Sequence, residues 1–348
     1  MKLASTASAA TRAARLLELV GANWTTQAIG AAVSLGLVDA LARKPCTARS
    51  LAGRTGCDGE AMQRLLRALA GIDIVEHRAS GHWALTPTGE LLQSDVPGSV
   101  RDWALWCSGP QWTLWGELAA SVRTGRSARS RAGAAPGYAH LEHDAAAAQI
   151  FNGAMAGLSS RIGRALATAI DWRRSARAVD VGGGYGEVLA EVLLAHPHLR
   201  GLLLDLPHAT TLAAERLARR GLAERCSVVA GSFFDEWPPH ADIYLLKSIL
   251  HNWDDADALR ILRRCRAALD AQARLLLVER VMPEQPARQR RGRAILRSDL
   301  NMLVSLGGRE RTLEEFAHLA AQAGLGRPRR KAAILDYSVL ELRRARQD

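Results

Sequence analysis

The sequence predicts an α/β protein in which a mostly helical winged-helix domain precedes a doubly wound, Rossmann-like domain. Two observations support this fold class. From residue 176 onward, short apolar runs of β type alternate with helical stretches, which is typical of a parallel sheet with helices on both faces. Before that point, apolar residues mostly recur at helical spacing. A chain of 348 residues fits two domains, and we place them at residues 1–105 and 106–348.

The predicted elements of the first domain follow the order of a winged helix. Apolar residues at helical spacing, among them Leu16, Leu17 and Val20, predict helical structure over residues 12–42. The remaining elements are a helical turn at 47–51, a helix at about 60–69, and two short strands at 72–75 and 83–85. Two helices followed by a small hairpin indicate a winged helix.

The second domain is predicted from its apolar runs. The predicted strands are 178–181, 202–204, 227–229, 243–246 and 275–278, and the helices between them are about 187–195, 209–220 and 256–269. Residues 144–170 read as a helix ahead of this domain, and 332–342 as one or two closing strands. The segment 123–137 consists largely of Arg, Gly, Ser and Ala, which predicts an exposed loop or linker.

Composition limits the classes of partner. The formal net charge is +11, but the arginines are scattered, which favours a solvated surface over a nucleic-acid-binding patch. The five cysteines form no C-x-x-C pair and no Cys/His cluster, so we expect a reducing, cytoplasmic setting. No apolar run approaches the ~20 residues of a membrane span. DNA binding stays open as an alternative, because Gln63, Arg64 and Arg67 share one face of a predicted helix.

A glycine-rich turn follows the first strand of the second domain. It runs from Asp180 through Gly182, Gly184 and Gly186 to Glu187. Such a turn lets a ligand approach the backbone closely, and both dinucleotides and S-adenosylmethionine are candidates. A dinucleotide fingerprint prefers a small residue at position 187, and a carboxylate beside a pyrophosphate is repulsive. Asp180 would instead attract the ammonium of a methionine group, so both details favour S-adenosylmethionine.

Two further strand ends supply candidate cofactor-binding residues. Asp205 ends the second strand, where an acid can accept hydrogen bonds from both hydroxyls of a ribose. An acid there also suits a dinucleotide, so Asp205 does not discriminate between the two. The third strand leads to Ser232 and Phe233, which we expect at the adenine amine and over the adenine ring.

The block that follows the fourth strand is the most specific motif. It runs from Leu246 through Lys247, His251 and Trp253 to Asp255. With this block, the chain resembles the S-adenosylmethionine-dependent O-methyltransferases of the caffeate and bacterial antibiotic-tailoring type over about residues 15–344. The segments that carry the resemblance, in family order and spacing, are 180–186, 205–207, 231–234, 246–255, 299–303 and 307–312.

The resemblance implies that His251 is a general base flanked by the carboxylates of Glu279 and Glu310. The chemistry agrees, because a phenol titrates near 10 and a His near 6.5 when unperturbed. An imidazole within hydrogen-bond reach can take the phenol proton, and a carboxylate on its other nitrogen fixes the tautomer. Metal-dependent catechol methyltransferases use carboxylate clusters instead, so the His251 block predicts a metal-free site.

The same resemblance implies contacts to the two substrates. The further cofactor contacts are Leu206, Lys247, Trp253 and Ser159. Met155 and Met302 match side chains that clamp an aromatic acceptor, and we assign Asn252 to the same pocket. The family often has Asp where this chain has Asn252 and Ser232, which affects the electrostatics near the base and the adenine contact.

A tryptophan cluster is the last candidate feature. Trp103 and Trp106 are spaced i, i+3, and so are Trp112 and Trp115. Such stripes are usually helix packing, but they can also form an aromatic wall for a flat ligand, a role that we assign to Trp103 and Trp106. In the resembled family the first domain dimerises by exchanging helices, and each copy closes its partner's pocket.

Together these features predict a homodimeric, S-adenosylmethionine-dependent O-methyltransferase of secondary metabolism, such as antibiotic biosynthesis. The expected acceptor is a hydroxyl on a flat, polycyclic aromatic molecule of the phenazine, anthraquinone or polyketide-phenol type. Neither nucleic acid nor a membrane is expected as a partner. Two alternatives remain: N-methylation of a related heteroaromatic, and a winged-helix DNA-binding regulator that senses S-adenosylmethionine.

Overall fold

The computed structural model divides into two compact units, Met1–Trp112 and Thr113–Asp348. The boundary that we placed between residues 105 and 106 therefore falls inside the first unit. The residues that the structure describes are 9–134, 137–138, 140–141, 144–285 and 290–345.

The first unit contains the predicted helices and a hairpin, but the first strand of that hairpin begins at Val75, the last residue of the predicted range 72–75. Its elements are α1 (Ala9–Ser34), α2 (Leu37–Arg43), α3 (Ala48–Thr55), α4 (Gly59–Ala70), β1 (Val75–His77), β2 (Trp83–Leu85), α5 (Pro87–Glu90) and α6 (Arg101–Ser108). Strands β1 and β2 pair as an antiparallel hairpin. The helical region predicted over 12–42 consists of two helices, α1 and α2, and Gly36 between them adopts φ 69°.

The core of the first unit lies between α2, α3 and α4. Leu37, Leu51 and Leu66 are fully buried there. The N-terminal half of α1 is different, because Leu17 and Trp24 are 72% and 76% exposed. Part of the apolar face predicted for this helix is therefore uncovered in a single copy of the chain.

Among the described helices, none is by itself long and apolar enough to cross a membrane. Helices α1 and α2 pass that test only as a pair, and the pair is bent by 59°.

Short helices lead from the first unit into the second. They are α7 (Pro110–Gly116), α8 (Leu118–Thr124) and α9 (Ala128–Arg131). The prediction of an exposed loop over 123–137 is wrong for its middle, because Ser127 and Ala128 are buried and Ser127 caps α9. Residues 135 and 136 of that segment lie outside the described residues.

The second unit is a seven-stranded sheet with helices on both faces. The elements are α10 (Ala145–Ala169), β3 (Arg177–Val181), α11 (Glu187–Ala195), β4 (Arg200–Asp205), α12 (Pro207–Arg219), β5 (Cys226–Ala230), β6 (Ile243–Lys247), α13 (Asp255–Ala268), β7 (Arg274–Glu279), α14 (Arg290–Ser305), α15 (Leu313–Gln322), β8 (Arg329–Ile334) and β9 (Tyr337–Leu342). The strand order is β5-β4-β3-β6-β7-β9-β8. The first five of these strands are parallel, and β9 pairs antiparallel with both β7 and β8.

The strands are apolar throughout because each one faces two cores. In β6, Tyr244 and Leu246 pack with the cluster that includes α13 and α15, whereas Ile243 and Leu245 pack with α10, α11 and α12. All four are fully buried. This is the pattern of a doubly wound sheet, and its switch point lies between β3 and β6. The carboxyl ends of β3, β4, β6 and β7 therefore meet at one edge.

Candidate active site

The glycine turn after β3 adopts a conformation that suits glycine. Gly182, Gly184 and Gly186 have φ values of 71°, 61° and 79°. At Gly182 a Cβ would also lie 2.6 Å from the Cδ1 atom of Ile249. The turn therefore carries little side-chain bulk at the sheet edge, and Gly186 leads directly into α11.

Asp180 is a buried carboxylate at this edge. It is 1% exposed, and neither carboxylate oxygen has a hydrogen-bond partner among the described residues. Burial and, after it, the charge of Asp205 raise the pKa of Asp180 to about 7, against the opposing effect of the charge of Lys247. An unpaired acid in this position is suited to a cationic ligand group.

Asp205 is bound to the glycine turn. Its Oδ2 accepts a hydrogen bond from the Gly184 amide and its Oδ1 from the Leu206 amide, both at 2.6 Å. Burial raises the pKa of Asp205, and these two amides partly offset the shift. Each oxygen keeps a second lone pair, so the carboxylate can still accept hydrogen bonds from a ligand.

Aromatic rings lie at the end of β5 and after β6. The Phe233 and Trp253 ring centroids are 5.7 Å apart in an edge-on arrangement. Trp253 also packs against Gly137, where a Cβ would lie 2.5 Å from the indole. Ser232 uses its Oγ to accept the Phe234 amide at 3.1 Å. The structure thus brings together the three residues predicted at the adenine.

Lys247 lies at the end of β6. Its Nζ donates to Ser159 Oγ at 3.1 Å, so the two residues predicted near the methionine end of the cofactor are in direct contact. Burial, followed by the charge of Arg280, lowers the pKa of Lys247 to about 8. The ring of Tyr337 lies 5.6 Å from Nζ, a contact that the sequence did not predict.

His251 is buried between two carboxylates. Its Nδ1 lies 3.0 Å from Glu310 Oε1 and 3.9 Å from Glu279 Oε2. Glu279 Oε1 accepts the amides of Ile249 and Leu250, each at 2.9 Å. Glu279 thereby fixes the turn that carries His251, and Glu310 fixes the ring.

The charges in this cluster set the protonation of the imidazole. Burial alone would lower the pKa of His251, but the charges of Glu310 and Glu279 raise it overall. Burial raises the pKa of Glu279. For Glu310, His251 and its hydrogen bond outweigh burial, so its pKa falls. Because Nδ1 donates to the carboxylate of Glu310, Nε2 of the neutral ring is the nitrogen that can accept a proton.

Arg311 and Gly308 hold the loop that carries His251. The fully buried Arg311 donates to the carbonyls of Leu250 at 2.7 Å and Trp253 at 2.8 Å. A Cβ at Gly308 would lie 2.1 Å from the His251 carbonyl oxygen, so a larger residue does not fit. The sequence did not single out Arg311; its only signal was its place in the 307–312 segment.

His251, Glu279 and Glu310 also meet the geometry for a metal ion, because their ligand atoms lie within 4.8 Å of one another. However, His251 Nδ1 already donates to Glu310, and Ser298 Oγ donates to the same oxygen at 2.6 Å. This arrangement orients an imidazole. A metal-free site stays a prediction.

The residues predicted to bind the acceptor are distributed over both units. Met155 is partly buried on α10, and Met302 is buried on α14. Asn252 donates to the Ser248 carbonyl at 2.9 Å, and its side-chain oxygen has no partner within the described chain. Trp103 and Trp106 lie on α6 of the first unit; Trp106 is buried and Trp103 is exposed.

Comparison with known proteins agrees with this fold. Residues 115–326 match the O-methyltransferase domain family, and residues 17–95 match the O-methyltransferase dimerisation domain. A curated relative, phenazine O-methyltransferase PhzM from Lysobacter antibioticus, is 35% identical over 94% of this chain and 95% of its own.

Solved structures give the same result. The crystal structure of LaPhzM has a TM-score of 0.91, with 34% identity over 95% of this chain and 99% of its own. An O-methyltransferase from neocarzinostatin biosynthesis, NcsB1, was solved in complex with S-adenosylmethionine and 2-hydroxy-5-methyl naphthoic acid. Its structure has a TM-score of 0.75 and 34% identity over 92% of this chain and 96% of its own. Not every relative carries an O-methyltransferase name: the aclacinomycin 10-hydroxylase RdmB of Streptomyces purpurascens is 37% identical over 94% and 89%.

The doubly wound sheet, its glycine turn and the acids at its edge define the methyltransferase class of α/β proteins. More particularly, the chain belongs to the O-methyltransferase family that carries its own dimerisation domain. The family resemblance drawn from the sequence is thereby confirmed.

Proposed function

We propose that the protein transfers a methyl group from S-adenosylmethionine to a hydroxyl of a polycyclic aromatic molecule in secondary metabolism, with His251 as the general base. The observation that carries this proposal is the 3.0 Å contact between His251 Nδ1 and Glu310, with Glu279 behind it. This contact leaves Nε2 able to accept a proton at the sheet edge where the glycine turn ends.

The chain's own residues fit S-adenosylmethionine. Asp180, which lacks a hydrogen-bond partner within the described residues, would hold the ammonium. Lys247 and Ser159 would hold the carboxylate, and Asp205 the ribose hydroxyls. Trp253 and Phe233 would flank the adenine. When bound, the cofactor supplies an electrophilic sulfonium methyl.

The base compensates for the weakness of the acceptor. A neutral phenol is a poor nucleophile, and an unperturbed His lies about 3.5 pKa units below it. The carboxylates of Glu310 and Glu279 raise the pKa of His251, which narrows this gap. As Nε2 takes the proton, Glu310 stabilises the imidazolium. The remaining acceleration would come from holding the oxygen in line with the methyl group.

We further propose that the protein is a cytoplasmic homodimer that does not act on nucleic acid. The exposed apolar residues Leu17 and Trp24 on α1 support a partner copy at this helix, as does the match to a dimerisation domain. Trp103 and Trp106 would contribute an aromatic wall for the acceptor, which Met155 and Met302 would clamp.

Calorimetric titration with S-adenosylmethionine and S-adenosylhomocysteine tests the proposal first. We expect micromolar binding of both, lost in Asp205→Ala. A panel of aromatic alcohols and aromatic amines with methyl-labelled cofactor then separates O-methylation from N-methylation. Absence of binding would refute the cofactor assignment, and transfer only to amines would refute the O-methyl assignment.

A further inference from the structure

Ser248 lies between two of the residues that form the site. It directly follows Lys247, the last residue of β6, and precedes His251 by three residues. Its φ is 55°, in the left-handed region, which is unfavourable for a residue that carries a side chain. The turn between Lys247 and His251 is therefore strained, and such a conformation persists only where neighbouring groups hold it.

Three contacts from different parts of the fold hold Ser248 in this conformation. Its amide donates to the carbonyl of Val278, on β7, at 3.1 Å. Its carbonyl accepts a hydrogen bond from the side-chain amide of Asn252 at 2.9 Å. Its hydroxyl donates to the hydroxyl of Tyr337, on β9, at 3.3 Å. The third contact connects the turn to the C-terminal hairpin, in which the sequence predicted no site residue.

The C-terminal hairpin places Tyr337 beside the end of β7. Strands β8 and β9 are joined by a turn of two residues, because Ile334 pairs with Tyr337. In the antiparallel register of β7 and β9, Glu279 lies opposite Ser338, so Arg280 and Tyr337 are the next residues on the two chains. Tyr337 is 3% exposed. A buried tyrosine therefore lies next to the acid that anchors the turn of the base.

The ring of Tyr337 contacts two cations. Arg280 Cζ lies 4.4 Å and Lys247 Nζ 5.6 Å from the ring centroid, both within the range of a cation–π interaction. Arg280 Nε also donates to the carboxylate of Asp336 at 2.7 Å, so the charge of Arg280 is compensated beside the ring. Lys247 donates instead to the neutral hydroxyl of Ser159, which suits the cofactor carboxylate that we assigned to it.

We propose that Tyr337 is a positioning residue that couples the cofactor lysine to the base. Its ring fixes the Lys247 ammonium for the cofactor carboxylate, and its hydroxyl fixes the left-handed turn at Ser248 that places His251. The inference rests on the proposed function, because Tyr337 acts through these residues rather than on the reacting atoms. The two roles are separable, since phenylalanine keeps the ring and removes only the hydroxyl.

Tyr337→Phe tests the role of the hydroxyl. S-adenosylhomocysteine affinity in calorimetry should stay within about twofold of wild type, because the ring beside Lys247 remains. With saturating S-adenosylmethionine and the aromatic alcohol that the wild type methylates fastest, kcat should fall about fivefold, as loss of one ordinary hydrogen bond provides. The reason is that Ser248 no longer holds the turn of His251 in line with the acceptor.

Tyr337→Leu tests the role of the ring. It removes both the ring and the hydroxyl, so S-adenosylhomocysteine should bind about fivefold more weakly, in addition to the loss of kcat. Unchanged affinity in Tyr337→Leu would overturn the contact between the ring and the cofactor lysine.

A double-mutant cycle with Ser248 tests the hydrogen bond itself. Ser248→Ala removes the other partner of the same bond, so it should also lower kcat about fivefold and keep the affinity for S-adenosylhomocysteine. The double variant Ser248→Ala/Tyr337→Phe should show the same fivefold loss, because both changes remove one contact. A loss of about 25-fold, the product of the two single effects, would overturn the coupling.

Tyr244→Phe is the matched control. Tyr244 is also buried, on β6, but its hydroxyl donates to the carbonyls of Pro238 and Ala268. This variant should lower Tm and keep wild-type kcat and affinity, and a loss of kcat equal to that of Tyr337→Phe would show that destabilisation alone explains the effect. If the wild type binds no S-adenosylhomocysteine, the proposed function fails. The contact is then tested by the unfolding free energies of the four proteins of the cycle, where additive changes would overturn it.

Discussion

Replacing Glu310 by Gln removes one negative charge from the base while keeping the shape of the site. Glu310 Oε1 accepts hydrogen bonds from His251 Nδ1 at 3.0 Å and from Ser298 Oγ at 2.6 Å. An amide oxygen can accept both bonds. The other carboxylate oxygen has no partner among the described residues, so an amide nitrogen in that position breaks no hydrogen bond.

The size of the effect follows from the contact. A unit charge at about 3 Å is worth about 5 kcal/mol at an effective dielectric of ~20, which is an upper limit. Hydrogen bonds to charged groups contribute about 1.5–3 kcal/mol when measured by substitution. If the substitution removes about 2 kcal/mol of this interaction, the pKa of His251 falls by about 1.5 units. Loss of the same ~2 kcal/mol of stabilisation from the imidazolium that forms in the transition state lowers kcat about 30-fold.

The direction in which the pH dependence of turnover changes can also be predicted. The carboxylates raise the pKa of His251, and only the neutral imidazole can act as a base, so turnover falls as the pH drops through that pKa. Glu310→Gln should move this acid limb to lower pH and lower the plateau. The assay is kcat against pH at saturating cofactor, with an aromatic acceptor that the wild type methylates. Glu314→Gln, at a surface ion pair with Arg327, is the control. An acid limb and plateau equal to wild type would refute the assigned role of Glu310.

Three further predictions concern the cofactor site, the base loop and helix α1. Asp180→Asn should raise the Tm of the ligand-free protein more at pH 8 than at pH 5. The buried charge of Asp180 destabilises the folded wild type, and this destabilisation increases as the pH rises from the unfolded pKa of about 4 to the folded pKa of about 7. The variant should also weaken S-adenosylhomocysteine binding at least about tenfold in calorimetry; unchanged affinity would contradict the ammonium contact. Gly308→Ala should lower Tm by about 5 °C or more and reduce turnover, because the added Cβ would collide with the His251 carbonyl. Gly53→Ala is the control: the space around Gly53 is open, so this variant should keep the wild-type Tm and turnover. Equal changes of Tm in the two variants would contradict the close packing at Gly308. Leu17→Glu should convert the dimer to a monomer in analytical ultracentrifugation, and a persisting dimer would show that α1 is not its interface.

The sheet was predictable because buried parallel strands are continuous apolar runs. The run predicted at 243–246 is β6, Ile243–Lys247, and the run at 275–278 is β7, Arg274–Glu279. The positions at which helices end were harder to predict from the sequence. Apolar periodicity continues from α1 into α2, and the break depends on the positive φ of Gly36, which the pattern does not encode. Helix α9 was also missed, because its small and polar residues predict an exposed loop. The burial of Ser127 depends on tertiary packing, which the local pattern does not show.

In the candidate site, residues at strand ends could be predicted from the sequence. Residues that act through contacts with distant parts of the chain could not. Asp205, Lys247 and Glu279 each end a strand, so topology alone brings them to one edge. Arg311 acts through carbonyls about sixty residues away in the chain. Such contacts depend on how loops return to the sheet, which no local pattern specifies.

The most direct test of the account is methyl transfer by wild-type protein and His251→Ala under single-turnover conditions with methyl-labelled S-adenosylmethionine. We expect both proteins to bind the cofactor equally well and transfer by the variant to be slower by about 10²-fold or more, as loss of a general base requires. Near-wild-type transfer by His251→Ala would contradict the account, because the cluster with Glu310 and Glu279 would then have no catalytic role.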